Sequence, residues 1–125
     1  MTGCILCIGS NLPPRRRRIA RAVAALAAVA EVEAVSAPHE SDDHTARGPR
    51  YINVAVRAVT DLTAETLTAR LRGIERDLGR QPGSKETGRM PIDIDLICYG
   101  TAVVSPDDYA RPYFRACLAD LPAEQ

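Results

Sequence analysis

Two aspartates spaced one residue apart on a predicted strand carry the strongest chemical signal in this chain. Pro91 to Gly100 reads Pro-Ile-Asp-Ile-Asp-Leu-Ile-Cys-Tyr-Gly, and its alternation of β-branched with other residues predicts a strand. A two-residue period puts Ile92, Ile94, Leu96 and Cys98 on one face and Asp93, Asp95, Ile97 and Tyr99 on the other. Asp is depleted from strands, and two ionised carboxylates side by side repel unless a cation stands between them. A divalent ion meets that need. Mg²⁺ takes one or two carboxylates from a protein and fills its other positions with water and phosphate oxygens, which points to phosphoryl-type chemistry. The alternative is a solvated strand face whose acids meet water or arginine.

Other residues extend the theme. Arg80, Lys85, Glu86 and Arg89 lead directly into the aspartate strand. Such a run suits a nucleotide and its metal, with arginines on phosphate oxygens and acids on the ion, and equally suits a salt-bridged loop. Tyr51 and Asn53 offer an aromatic plate beside an amide with both donors and an acceptor, a pairing fit for a flat heterocycle. A strand end with a turn-facing asparagine would read the same. His39, Asp42, Asp43 and His44 match no metal-ligand spacing and read as an exposed polar loop. Cys4 and Cys7 spell C-x-x-C, but in a strand that spacing sends them to opposite faces, so they read as buried small residues.

The elements that must position these residues follow from periodicity and punctuation. Cys4 to Ile8 is a short apolar run closed by Gly9-Ser10-Asn11, a buried strand entering a turn. Asn11 or Ser10 is placed to cap a helix with prolines in its first turn and Ile19, Val23, Leu26 and Ala30 along one stripe. Arg15 to Arg18 opens that helix as a solvated cluster. Val32 to Ser36 reads as a strand and Ala37 to Arg50 as a loop without period. Tyr51 to Thr60 is a strand with Ile52, Val54, Val56 and Ala58 inward. Thr63 caps a helix carrying Leu67, Leu71, Ile74 and Leu78, with Gly79 just past its end. Arg80 to Met90 reads as a loop, Ala102 to Val104 as a short edge strand, and Asp107 or Asp108 as the start of a last helix through Leu121. The order is β-α-β-β-α-β plus a C-terminal helix, an α+β sandwich of ferredoxin-like type. In it, Tyr51, Asn53, Asp93 and Asp95 share the sheet face opposite the two helices.

A length of 125 residues suits a single domain, 1–125, that buries about two thirds of its unfolded surface. Sixteen basic and sixteen acidic residues cancel, so overall charge gives no reason for a nucleic-acid or membrane partner. No obligate protein partner is evident. Four sparse cysteines fit a reduced compartment, and no apolar run approaches the length of a membrane span, so a cytoplasmic protein is expected.

Gly9-Ser10-Asn11-Leu12, Tyr51-Ile52-Asn53, Ile74-Glu75 with Gly79-Arg80, and Ile92-Asp93-Ile94-Asp95-Leu96 with Tyr99-Gly100 occur in an order and spacing that resembles the 6-hydroxymethyl-7,8-dihydropterin pyrophosphokinase family. The resemblance spans almost the whole chain. It implies Mg²⁺-dependent transfer of pyrophosphate from ATP to the hydroxymethyl group of a pterin in folate biosynthesis. It implies two Mg²⁺ ions on Asp93 and Asp95, and a pterin held by Asn53 between Tyr51 and Tyr113. Arg80 would serve in catalysis, and Glu75, Lys85, Arg89 and Arg111 would face the nucleotide. The chain departs from the family pattern at Met90, where an arginine is usual, at Glu40-Ser41-Asp42, where the family has Thr-Pro-Pro, and at Val104-Ser105, where it has Pro-His. Two alternatives stand beside this expectation: a divergent paralogue that binds a nucleotide or heterocycle with little transfer, and a non-enzymatic ferredoxin-like module.

Overall fold

The computed structural model describes residues 1–42 and 49–122. The chain runs β1 (Thr2–Ser10), α1 (Arg15–Ala25, extended by a 3₁₀ turn, Leu26–Ala28), β2 (Glu31–Val35), β3 (His39–Ser41), β4 (Tyr51–Thr60), α2 (Ala64–Asp77), α3 (Ser84–Thr87), β5 (Asp93–Tyr99), β6 (Ala102–Val103), α4 (Pro106–Tyr109) and α5 (Pro112–Ala119). The strands form one antiparallel sheet in the order β2-β4-β1-β5-β6, with β3 also paired to β4. β1, α1, β2, β4, α2 and β5 make the expected ferredoxin-like core.

Each sheet face has its own packing. Leu6, Ile8, Ile52, Val54, Val56, Ile92, Ile94 and Leu96 lie beneath α1 and α2, against Ile19, Ala22, Leu26, Leu67 and Leu71. The most regular helix is α2. Thr63 accepts the Thr66 N–H at 3.2 Å, Glu65 sits at the positive end of the dipole, and Gly79 turns the chain at φ 104°. On the opposite face Cys7, Ala55 and Ile97 meet Phe114 and Cys117 of α5. Cys4 and Cys7 therefore enter different cores, and burial pushes both thiols up, Cys4 to about 11.

Several expectations need correction. Neither Ser10 nor Asn11 caps α1: the helix starts after Pro14 with no side-chain cap. Asn11 instead ties the chain across the fold. Its Nδ2 donates to the Gly88 carbonyl at 2.7 Å, and its Oδ1 accepts the Met90 N–H at 2.7 Å. The loop between residues 37 and 50 contains β3, whose residues carry no strand pattern and are ordered by pairing with the end of β4. One helical turn, α3, interrupts the loop before β5. The last helix is two. The residue before proline avoids the helical region, and Arg111 is extended (φ −66°, ψ 134°), so Pro112 starts a new helix. Finally, Ile5 pairs with Cys98 and Leu6 with Leu96, leaving Ile97 as the extra residue of a β-bulge. Past the bulge the faces exchange. Cys98 packs with the α5 cluster, whereas Tyr99 packs with the α1/α2 core and donates its hydroxyl to the Leu62 carbonyl at 2.7 Å.

Asp43 and His44 lie outside the described residues. Asp42 pairs with Arg50 at 3.0 Å and His39 with Asp120, and no three metal-ligating side chains converge among the described residues. Among those residues, no helix is long and apolar enough to cross a membrane.

Candidate active site

The site is built on β1. Gly9 pairs with Asn53 of β4 on one side and with Asp93 of β5 on the other; two residues back, Cys7 pairs with Ala55 and Asp95. Residues opposite one another in antiparallel strands share a face. Asn53, Asp93 and Asp95 therefore project from the α5 side of the sheet, beside the ground that α5 covers. A cleft of about 200 Å³ opens there, bounded by Tyr51, Asn53, Asp93 and Asp95 from the sheet, Lys85 and Met90 from the preceding loop, and Asp108, Arg111, Tyr113 and Phe114 from the C-terminal segment.

Gly9 is the floor of this cleft. A Cβ there would lie 2.8 Å from Asn53 Oδ1 and 3.4 Å from Tyr51 Cδ2, too close to the amide to be accommodated without displacing it. Asn53 is buried and its orientation is fixed from β3. Its Nδ2 donates to the His39 carbonyl at 3.1 Å and to Ser41 Oγ at 2.9 Å. With the amino group engaged, Oδ1 is what the amide presents toward Gly9 and the cleft, an acceptor for a ring N–H.

The acids are less enclosed, with 29% and 34% of the Asp93 and Asp95 side chains exposed. Behind them lies a chain of ion pairs. Arg80 Nη1 donates to Asp93 Oδ1 at 3.0 Å and to Glu75 Oε2 at 2.7 Å. Arg72 binds the other Glu75 oxygen at 2.9 Å and reaches Asp95 Oδ1 at 3.4 Å. Glu75 continues the Leu67-Leu71 stripe of α2, so its carboxylate enters the core, where Oε2 also accepts the Ile94 N–H at 2.7 Å. Burial pushes Glu75 above the usual carboxylate range despite that hydrogen bond and the Arg72 and Arg80 charges. Burial, with the adjacent Asp93 charge, lifts Asp95 from 3.8 to about 7, more than Arg72 offsets. Across the cleft, burial acts to raise Asp108, but hydrogen bonds from Ser105 at 2.7 Å and Arg111 at 3.1 Å hold it below the usual range.

Of the residues singled out by sequence, Tyr51, Asn53, Asp93, Asp95, Lys85, Arg111 and Tyr113 line the one cleft. Arg80 and Glu75 stand behind Asp93 and border an adjoining pocket that Lys85 also lines. Arg89 is exposed and is not among the cleft's lining residues. Sequence reasoning missed Arg72, Asp108, Ser41 and the steric role of Gly9. Arg72 had a signal: it lies three residues before Glu75 on a helix, hence on the same side.

The donor set fits a hard divalent cation. Two carboxylates stand on one strand face, each about a third exposed, and burial together with the Asp93 charge raises the proton affinity of Asp95. Such an ion completes its coordination with water and phosphate oxygens, so a third protein ligand is not required.

A ferredoxin-like sheet bearing paired carboxylates in a cleft with a buried amide and aromatic walls is the class that fold and site define. The chain belongs to the 7,8-dihydro-6-hydroxymethylpterin-pyrophosphokinase family, whose model matches residues 5–123. A mitochondrial folate synthesis bifunctional protein of Arabidopsis thaliana is 40% identical over 72 residues, covering 58% of this chain and 13% of its own. The 2-amino-4-hydroxy-6-hydroxymethyldihydropteridine pyrophosphokinase of Synechocystis is 31% identical over 129 aligned positions, covering 95% of this chain. Its counterpart in Aquifex aeolicus is 29% identical over 105 positions, covering 83%. The chain spans 66% and 65% of the lengths of these two relatives.

Proposed function

We propose that this chain, acting as one domain, transfers the pyrophosphoryl group of ATP to the hydroxymethyl oxygen of 6-hydroxymethyl-7,8-dihydropterin. The observation that carries the reading is the row Asn53-Gly9-Asp93. It sets a heterocycle-reading amide and a metal-binding acid on either side of one bare backbone position. Asn53 Oδ1 accepts a ring N–H, and Tyr51 and Tyr113 supply aromatic surface for the ring. Asp95 borders both the cleft and a groove of about 510 Å³ between α2 and β5, lined by Thr68, Arg72, Leu96, Val104 and Ser105. We assign that groove to the nucleotide, which sets its phosphates beside the acids and opposite the ring's hydroxymethyl arm. The arm's hydroxyl gives up its proton as its oxygen forms a bond to the β-phosphorus, the bond from that phosphorus to the oxygen of the α-phosphate breaks, and AMP leaves with that oxygen.

Asp93 and Asp95 are the residues that would hold Mg²⁺, two ions being expected with ATP; when bound, the metal would supply positive charge that offsets the charge of the phosphates. Lys85 and Arg111, lining the cleft, add fixed positive charge facing the transferred group. Arg80 is held at Asp93 by Glu75, so it is oriented before substrate arrives.

The test is AMP release from Mg-ATP with and without the pterin. Release only with all three components supports transfer. A second reading, a binder with little transfer, is favoured by Met90, which is 2% exposed and lines the cleft where the family usually has an arginine. Mg-ATP and pterin binding without AMP release would establish that reading instead.

A further inference from the structure

β3 is a strand without strand-forming residues. His39-Glu40-Ser41 holds no apolar and no β-branched side chain, so neither propensity nor core burial accounts for its place beside β4. Its polar side chains do. Residues directly opposite one another share a face, and His39 pairs with Asn53 while Glu40 pairs with Ile52. His39 and Ser41 therefore lie on the α5 side of the sheet and Glu40 on the α1 side.

On each face β3 meets a helix end that carries a charge of the wrong sign. α5 closes on Asp120, a carboxylate at the negative end of the helix dipole with no base in the last turn, and His39 Nε2 donates to that carboxylate. α1 opens on Arg15, a cation at the positive end with no acid in the first turn, and Arg15 donates to Glu40 Oε1 at 3.1 Å. Arg50 adds a bond to the other Glu40 oxygen at 3.2 Å. The strand is gripped from both sides. What it grips in turn is the Asn53 amide, through the His39 carbonyl at 3.1 Å and Ser41 Oγ at 2.9 Å. α5 reaches the same residue, since Cys117 Sγ donates to the Asn53 carbonyl at 3.4 Å, and the same helix carries Tyr113 into the cleft wall. His39 and Asp120 themselves are not among the cleft's lining residues.

We propose that the His39–Asp120 pair is a clasp that sets the heterocycle's place from outside the cleft, by fastening β3 to the end of α5 and so holding the Asn53 acceptor in register with the Tyr113 ring. His39 and Asp120 are positioning residues: they act through Asn53 and Tyr113 and do not touch the ligand. The inference rests on the pyrophosphokinase reading, since it needs a ring between that acceptor and that wall. Its effect is one-sided. Asp93 and Asp95 stand on β5, which β1 separates from β4 and its partner β3, so loosening the clasp leaves the acids where they are.

Calorimetric titration of the whole chain and of H39A, H39K and D120A tests this, with Mg²⁺ and α,β-methylene ATP added first and 6-hydroxymethyl-7,8-dihydropterin second; the methylene bridge blocks transfer. H39A and D120A are expected to bind the pterin at least about threefold more weakly than wild type, a modest change set by a partly exposed pair, and the Mg²⁺-nucleotide within about twofold. H39K, which gives Asp120 a charged donor again, should recover most of the pterin affinity. A smaller pterin loss in folded H39A or D120A overturns the proposal. So does a nucleotide loss that matches the pterin loss, the mark of a merely structural pair, and so does an H39K protein as weak as H39A, which would assign the effect to packing of the imidazole. Should H39A fail to fold, D120A decides by the same criteria. If wild type itself binds no pterin beside the nucleotide, the pyrophosphokinase reading fails and this inference falls with it; if wild type binds and turns over the pterin while D120A binds it equally well, only the clasp falls.

Discussion

Replacing Asp95 by asparagine should make the ligand-free protein more stable, increasingly so as pH rises. Burial and the Asp93 charge lift Asp95 from 3.8 to about 7. Between those values the folded protein holds a proton that the unfolded chain releases, so stability falls as pH climbs from about 4 to about 7 and stays lowered above it. At about 1.4 kcal/mol for each tenfold in proton affinity, the ceiling is on the order of 4 kcal/mol. With 34% of the side chain in water, solvent screening reduces this to about 1–2 kcal/mol. Asparagine keeps the shape, and Arg72 keeps Glu75 and the Ile94 carbonyl, so the substitution strands no buried cation. The D95N variant should therefore melt about 4–8 °C above wild type at pH 8 and close to it at pH 4, taking roughly 4 °C per kcal/mol for a chain of this size. D93N should gain less, because Asp93 pairs with Arg80 at 3.0 Å. The assay is thermal unfolding of wild type and both variants across pH 4 to 8, with and without Mg-ATP. A D95N protein less stable than wild type at pH 8, or one that keeps the wild-type gain from Mg-ATP, would refute the reasoning.

Gly9→Ala should leave the fold intact but cost heterocycle affinity on the order of 1–3 kcal/mol, since its Cβ would lie 2.8 Å from an amide that two hydrogen bonds hold in place; unchanged pterin binding by calorimetry would refute this. Asn53→Ala should weaken pterin binding far more than Mg-ATP binding and lower apo stability by about 1–2 kcal/mol, because the His39 carbonyl and Ser41 lose their donor. Equal losses for the two ligands would show that the strand is misassigned. Glu75→Gln should cost about 3 kcal/mol in urea unfolding, since it removes the charge that a 3%-exposed carboxylate offers to Arg72 and Arg80. A change below 1 kcal/mol would remove Glu75 as the organising charge of the site.

How far the sequence could be read depended on whether a residue's partners were near in the chain. Tyr51 to Thr60 and the α2 helix follow from period, cap and terminator, and the structure has them at those bounds. The acid pair and Asn53 were legible because polar residues on strongly apolar strands are conspicuous, and the strand period alone put them on one face. What escaped was decided at a distance. Asn11 has the chemistry of a cap, but its partners are Gly88 and Met90. His39 to Ser41 becomes a strand only because the end of β4 offers it an edge. The bulge at Ile97 arises from pairing with β1, and no alternation count reveals an extra residue whose neighbours are themselves apolar. Arg72 looked like one more arginine in an arginine-rich chain until the fold set it against Asp95.

The row through Gly9 also fixes a length. Adjacent strands in any sheet lie about 4.8 Å apart, so Asn53 and Asp93, on the two strands flanking β1, are anchored roughly 9 to 10 Å from each other. Main-chain hydrogen bonding sets that interval, and no exchange of the two side chains for others alters it. The sheet therefore acts as a gauge. If Asn53 reads the ring as proposed, a lone six-membered ring would stop short of the acids, whereas a fused bicycle with a one-carbon arm would reach from one post to the other. Under the proposed function, selection by size would rest on the spacing of the backbone, with the side chains reading only what already has the right span.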